Sequence, residues 1–337
     1  MKYKKYSDVE NSNRIKFMDK IYEQGKAGGQ WLVMEKIHGA NFSIRYDGKN
    51  YYCGKRSGWV EGSDKSFFNY SKVLEDHKER IENLYNYLKN ILNIEFDYMT
   101  LYGELFGGSY PHPEVKKVAN AIRVQAGIHY SPKNELYVFD IALDDEIINY
   151  DVATEALDEF GFLYAEPLFT GTLEECLEYR NEFQTLIPEK LGLPSIKNNN
   201  CEGVVIKPVD ARFMGHSRVI LKNKNDKWKE TKNKKRKVRV EFKFSDIGQE
   251  LLDTIMMYIT ENRLRNVLSK EGQISQKQFG YVMKLFTSDI LKDFLKDHEQ
   301  VFNLLDEKEI KVIQKCMSTE ASNVLRENFV NIIDGTF

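Results

Sequence analysis

The sequence predicts an α+β fold in two parts. Three observations carry this: β-prone runs alternate with helical stretches from Trp31 to about Lys224, helical rhythm alone follows Ser245, and 42% of the 337 residues are hydrophobic, enough for two cores. In chain order, WLVMEK (31–36), NFSIRY (41–46), YMTLYGEL (98–105), ELYVFDIAL (135–143), GVVIKP (203–208) and RVILK (218–222) predict strands. LEDHKERIENLYNYLKNIL (74–92) predicts a helix. Beyond Ser245, Leu251, Ile255 and Ile259 recur at i, i+4 within residues 249–268, and the runs 279–297 and 307–325 continue in the same period. The expected domains are therefore 1–244, built on antiparallel sheets with flanking helices, and 245–337, small and all-α.

Charge is unevenly spread. A formal net of −2 from 49 basic and 51 acidic residues argues at first against a nucleic-acid partner. Residues 222–243, however, hold eleven Lys/Arg against Asp226, Glu230 and Glu241, a net of +8 that leaves −10 on the rest. Such a block is either a solvated run or a phosphate-binding surface. Cys53, Cys176, Cys201 and Cys316 form no CxxC or Cys/His spacing, so neither a zinc site nor a disulfide framework is expected. No apolar run reaches the ~20 residues of a membrane span, and MKYKKYSDVENSNR is too polar for a signal peptide. A cytoplasmic protein is expected.

The sharpest local feature is Glu35-Lys36-Ile37-His38-Gly39-Ala40-Asn41-Phe42, a lysine at a strand end followed by a glycine turn. In order after it come Lys55-Arg56-Ser57-Gly58, Tyr102-Gly103-Glu104-Leu105, Tyr137-Val138-Phe139-Asp140, Glu202-Gly203-Val204-Val205-Ile206-Lys207 and Leu221-Lys222-Asn223-Lys224. Lys222 and Lys224 at i and i+2 share one face of a strand, as clamping a single phosphate requires. Arg56 offers a planar fork that a lysine lacks.

This series resembles the six ordered motifs of the covalent nucleotidyltransferases, the ATP-dependent nucleic-acid ligases and mRNA capping enzymes. KIHG followed by Asn41-Phe42, in place of KxDG, resembles the RNA ligase 2 family of phages and the trypanosome RNA-editing ligases. The resemblance runs over most of the chain and is weakest between about Asp144 and Asn200; Met34 and Ala40 depart from it. It implies an ATP-grasp-like nucleotidyltransferase domain whose Lys36 attacks the α-phosphate of ATP to form a lysyl-adenylate. A lysine amine of pKa ~10.4 is nucleophilic only once neutral, so Lys36 is expected to need burial and cationic neighbours such as Lys207, Lys222, Lys224 and a metal.

By the same resemblance, Phe139 and Val205 sandwich adenine, Glu35 accepts from its amino group, Glu104 binds the ribose and Arg56 contacts nucleotide and 5′-phosphate. Asp140 either organises the site or touches the nucleotide. His38 and Asn41 orient the nucleophile, phosphate or attacking hydroxyl. Glu202 holds Mg2+ or Mn2+ directly or through water. Arg56, Lys229, Lys234, Lys235 and Arg236 are expected to contact RNA. The implied reaction is ATP-dependent sealing of 3′-OH and 5′-phosphate ends in nicked duplex RNA, bridged RNA or an RNA/DNA hybrid, by a monomer that is cellular, viral or phage-encoded. A DNA ligase, a capping guanylyltransferase and a non-catalytic RNA-binding protein on a ligase scaffold are the alternatives.

Overall fold

The structure is a computed structural model and describes residues 2–61, 67–231 and 242–337. It divides into two compact units, Met1–Lys227 and Trp228–Phe337.

In the first unit, β2 (Trp31–Glu35), β9 (Pro167–Gly171), β10 (Gly203–Pro208) and β13 (Leu221–Lys224) form an antiparallel sheet, with β1 (Glu10–Asn11) parallel to β13 at its edge. The second sheet is antiparallel in the order β5 (Gly58–Trp59), β4 (Tyr51–Lys55), β3 (Ala40–Tyr46), β6 (Met99–Gly107), β7 (Asn134–Leu143) and β8 (Glu146–Ile147). The run 218–222 is not one strand: β12 (Ser217–Arg218) closes a short hairpin with β11 (Phe213–Met214), and β13 starts at Leu221.

Alternation along each strand sorts side chains between two environments. In the first sheet Trp31, Val33, Val204, Ile206 and Leu221 bury with Ile21 of α1 (Ile15–Glu23) and with Leu173 and Cys176 of α4 (Leu173–Glu178), which a single turn, α5 (Ile187–Lys190), follows. In the second, Phe42, Ile44, Leu101, Leu105, Val138 and Ile141 bury against α2 (Tyr70–Leu92) and α3 (Tyr150–Glu159). Residues of both sheets meet in a third, smaller cluster of Tyr6, Tyr102, Ala142 and Ile220, with Phe139 and Val205 packed on it. Apolar and charged motif residues are thus drawn to the space between the sheets.

The second unit is helical, with α6 (Asp246–Ile255), α7 (Glu261–Leu268), α8 (Phe279–Phe302) and α9 (Glu307–Ile333). Leu251, Ile255 and Ile259 are all buried, but their run is not one helix; a 3-10 turn at Met256–Tyr258 ends it, and Thr260 caps α7 by accepting from Arg263 N. Trp228 is buried, the Lys229 carbonyl accepts from Asn262 Nδ2 at 3.0 Å and that of Glu230 from Thr260 Oγ1 at 3.1 Å. These bonds fold residues 228–230 of the basic segment with the helices, so the division falls at 227/228, whereas composition suggests 244/245. Among the described residues no helix is long and apolar enough to cross a membrane.

Candidate active site

Lys36 follows β2, where the chain leaves the first sheet and turns through Ile37, His38 and Gly39 into β3 of the second. Its backbone N–H donates to Gly203 O at 2.9 Å, fixing the strand end against β10. Two glycines make this joint possible. A Cβ on Gly39 would lie 2.4 Å from Leu105 O, and one on Gly203, at φ +143°, would lie 2.2 Å from Asn223 O.

Glu202, immediately before β10, is the focus of the polar groups. Its Oε2 accepts from Lys36 Nζ at 2.8 Å and lies 3.3 Å from His38 Nδ1, while Oε1 meets Lys224 Nζ at 2.7 Å. Burial alone would favour the neutral acid, but Lys224, Lys36 and His38 outweigh it and hold the carboxyl well below the usual carboxylate range. Burial pushes His38 down, with Glu202 opposing. The His38 N–H donates to the buried Tyr130 hydroxyl at 2.9 Å, and Gln125 Nε2 donates to Gly39 O at 3.1 Å, so residues 125–130 support the Lys36–Gly39 turn from outside the motifs.

Glu104 lies opposite Asn41 in the register of β3 and β6. Burial raises its carboxyl to about 7, against the nearby charge of Lys36. Lys222 lies opposite Val205 and Lys224 opposite Gly203, placing both lysines on the face that carries Val205.

A bulge explains how the apolar and charged halves of the 137–140 motif serve one site. Tyr102 pairs with Asp140 and Gly103 with Val138, which leaves Phe139 as the extra residue of β7. Val138 and Ile141 go to the helix-covered core, while Phe139 packs on Tyr6, ring centroids 4.8 Å apart, and Asp140 joins a buried polar network. Asp140 accepts from Lys207 Nζ at 2.9 Å, from Arg218 Nη1 at 2.6 Å and Nη2 at 3.1 Å, and from the Tyr6 hydroxyl. Arg218, Lys207 and these hydrogen bonds overcome burial and hold the Asp140 carboxyl far below its ordinary range. Lys207 also donates to Phe139 O at 2.8 Å. Lys207, expected to supply charge beside Lys36, is thus engaged with Asp140, and Tyr6 and Arg218 are site residues that motif reading did not single out.

Two other expectations meet a more closed geometry. Arg56 donates to Tyr6 O at 2.7 Å and to Ser7 O at 3.4 Å and pairs with Asp8, so its fork grips the N-terminal segment. Glu35 lies opposite Val204 in the register, not Val205; its Oε2 accepts from Leu186 N at 2.9 Å. Its Oε1 is buried with no hydrogen-bond partner among the described residues. Lys229 belongs to the helical unit, and Lys234, Lys235 and Arg236 lie outside the described residues.

Burial raises the Glu35 carboxyl from 4.5 to about 7. The folded chain therefore holds a proton that the unfolded chain has lost between pH 4.5 and 7, and stability falls as pH rises through that window, by roughly 3 kcal/mol at full effect. Glu35→Gln is expected to flatten the decline in urea-unfolding free energy between about pH 5 and pH 8. An equally steep decline in the variant would assign it elsewhere, Glu104 having the same sign.

Among the described residues, no three His, Cys, Asp or Glu side chains group as a metal cage. Glu202 supplies carboxylate oxygens, but lysines hold both, a donor set suited to a cation that keeps its waters and arrives on a nucleotide's phosphates.

The RNA ligase family profile matches residues 29–224, and the T4 RNA ligase 2 C-terminal profile matches residues 241–323. RNA-editing ligase 1, mitochondrial, of Trypanosoma brucei brucei is 29% identical, covering 86% of this chain and 74% of that protein. RNA-editing ligase 2, mitochondrial, from the same organism is 28% identical, covering 88% and 84%. Among solved structures, an apo mutant form of Naegleria gruberi RNA ligase is similar at 16% identity and TM-score 0.45, covering 67% of this chain. The chain spans 56% of that structure.

Proposed function

Because the chain belongs to the RNA ligase family, we propose that it is an ATP-dependent RNA ligase that works through a lysyl-adenylate on Lys36 and seals 3′-OH/5′-phosphate nicks in duplex or bridged RNA. The observation that carries this is the convergence of Lys36, His38 and Lys224 on Glu202 at the joint between two sheets whose intervening space presents Phe139 and Val205.

Lys36 Nζ attacks the α-phosphorus of ATP, the bond to the pyrophosphate oxygen breaks, and pyrophosphate leaves. The attacking amine must first give up a proton, and Glu202, which accepts from it at 2.8 Å, aims the side chain at the joint between the sheets. Lys222 and Lys224 stabilise charge on the phosphate oxygens. AMP then passes to the RNA 5′-phosphate, and the 3′-hydroxyl attacks that phosphorus and expels AMP. Phe139 and Val205 flank the adenine, and Glu35, a buried carboxyl beside Thr185 and Leu186, is suited to an amino group. Glu202 would hold a magnesium or manganese ion, directly or through water, and the ion would supply charge neutralisation at the phosphates.

The helical unit and the basic segment that starts from it are assigned to the duplex, read by shape and phosphates. Three buried cysteines and one partly exposed, all free thiols, support a reducing, cytoplasmic place of action. Incubation with α-labelled ATP and magnesium tests the reading: acid-labile label on the protein is expected, followed by sealing of nicked RNA once a duplex is added. Absence of label, or label from GTP in place of ATP, would overturn it.

A further inference from the structure

Arg123 is half-buried with no carboxylate partner among the described residues; its Nε donates to Gln125 O at 3.1 Å. The arginines at the motifs and cores are handled differently: Arg56 pairs with Asp8, Arg218 with Asp140, Arg45 with Asp145 and Arg263 with Asp289 and Asp293. The segment around Arg123 gathers further positive groups. Lys227 Nζ reaches Gly127 O at 3.4 Å, bringing the end of the first unit onto the same loop. His129 is pinned beside them by Asn199, whose Oδ1 accepts from His129 N at 2.8 Å and whose Nδ2 donates to His129 O at 2.6 Å.

Drawing cations together costs free energy, and the titration of the groups reflects it. Burial lowers Arg123, and burial followed by the charges of Arg123 and Lys227 lowers His129, with Ser109 the opposing partner and no carboxylate among the causes. Exposed Asp226 is Lys227's chain neighbour. The loop is also tied to the reaction centre, since Gln125 donates to Gly39 O in the nucleophile turn. An anion that binds here therefore lies close to the reacting ends, and a phosphodiester matches both the charge and the guanidinium fork.

We propose that Arg123, His129 and Lys227 form a phosphate subsite that holds the RNA backbone next to the nick. This rests on the RNA ligase reading. The subsite takes any phosphate by chemistry, RNA backbone or nucleotide polyphosphate, and the two sources are separable.

Arg123→Gln and Lys227→Gln, singly and together, are titrated with nicked duplex RNA between about 50 and 200 mM salt, and the KM for ATP in lysine labelling is measured in parallel. Each substitution is expected to weaken RNA binding about five- to tenfold and to reduce the slope of log affinity against log salt by about 1. Unchanged affinity and slope would overturn the proposal, as would weakened affinity with an unchanged slope, the sign of a structural effect. A raised KM for ATP with unaltered RNA affinity would assign the phosphate to the nucleotide and overturn the RNA assignment. Wild-type sealing of nicked RNA with unaltered affinity in both variants overturns the subsite alone, a wild-type chain that takes label but ignores nicked RNA overturns the nick-sealing reading with it, and one that takes no label sinks the lysyl-adenylate as well.

Discussion

Lys36→Ala is expected to eliminate covalent capture of AMP, a loss on the order of 10⁴-fold or more, because the proposed bond to the α-phosphorus is made by this amine. The side chain lies at the sheet-to-sheet joint, its backbone fixed by Gly203 and its amine 2.8 Å from Glu202. Lys224 shares that carboxylate from its other oxygen, but it is the partner on β13 of Gly203 and lies on the strand face that carries Lys222. That placement is the ground for the phosphate-clamp role proposed for it. The variant's folding can be checked through chemistry: nicked RNA that already carries AMP on its 5′-phosphate no longer needs the amine, so Lys36→Ala should still join it. Labelling of the variant by α-labelled ATP at the wild-type rate would remove Lys36 from the mechanism. Failure to join pre-adenylylated RNA would show that the substitution disturbs more than the nucleophile.

Five of the six β-prone runs and the helix at 74–92 were legible because each is long and strongly patterned, and the observed elements lie over them, whereas the short run 218–222 splits between β12 and β13. A strand such as β9, with Pro167, Phe169 and Thr170 all exposed, carries little alternation, and only pairing with β2 defines it. The chemistry divides the same way. Lys36, Glu202 and Lys224 sit in motifs that the fold joins, so order along the chain pointed to their meeting in space. Tyr6 and Arg218 reach Asp140 over 134 and 78 residues, and no periodicity encodes such a contact. The bulge at Phe139 has the same character: strict alternation sends Phe139 and Asp140 to opposite faces, and only the shifted register of β7 on β6 brings both to the inter-sheet space.

That network supplies the second large effect. Asp140→Asn is expected to destabilise the first unit by about 3–5 kcal/mol, since it leaves Lys207 and Arg218, 2% and 3% exposed at their side chains, without the charge that both were buried against. In a unit of this size the loss corresponds to roughly 10 °C in the melting temperature. The sign of the pH dependence follows from the depressed carboxyl. Its stabilisation is present above the unfolded Asp value of ~3.9 and fades as pH falls below it, so the gap between wild type and variant should narrow in acid. The effect belongs to the pairing and not to the aspartate alone. Arg218→Met in the Asp140→Asn background removes one of the stranded cations, and the double variant should be more stable than the two single losses predict, by about 1–3 kcal/mol of coupling. Strict additivity would refute a shared network. Function should separate from stability in the same variants: Lys207 holds the Phe139 carbonyl as well as Asp140, so loosening it displaces the ring proposed to stack on adenine. The KM for ATP in lysine labelling should therefore rise in Asp140→Asn at a temperature where the variant remains folded, whereas a purely structural Asp140 would lower the melting temperature and leave that KM where it was.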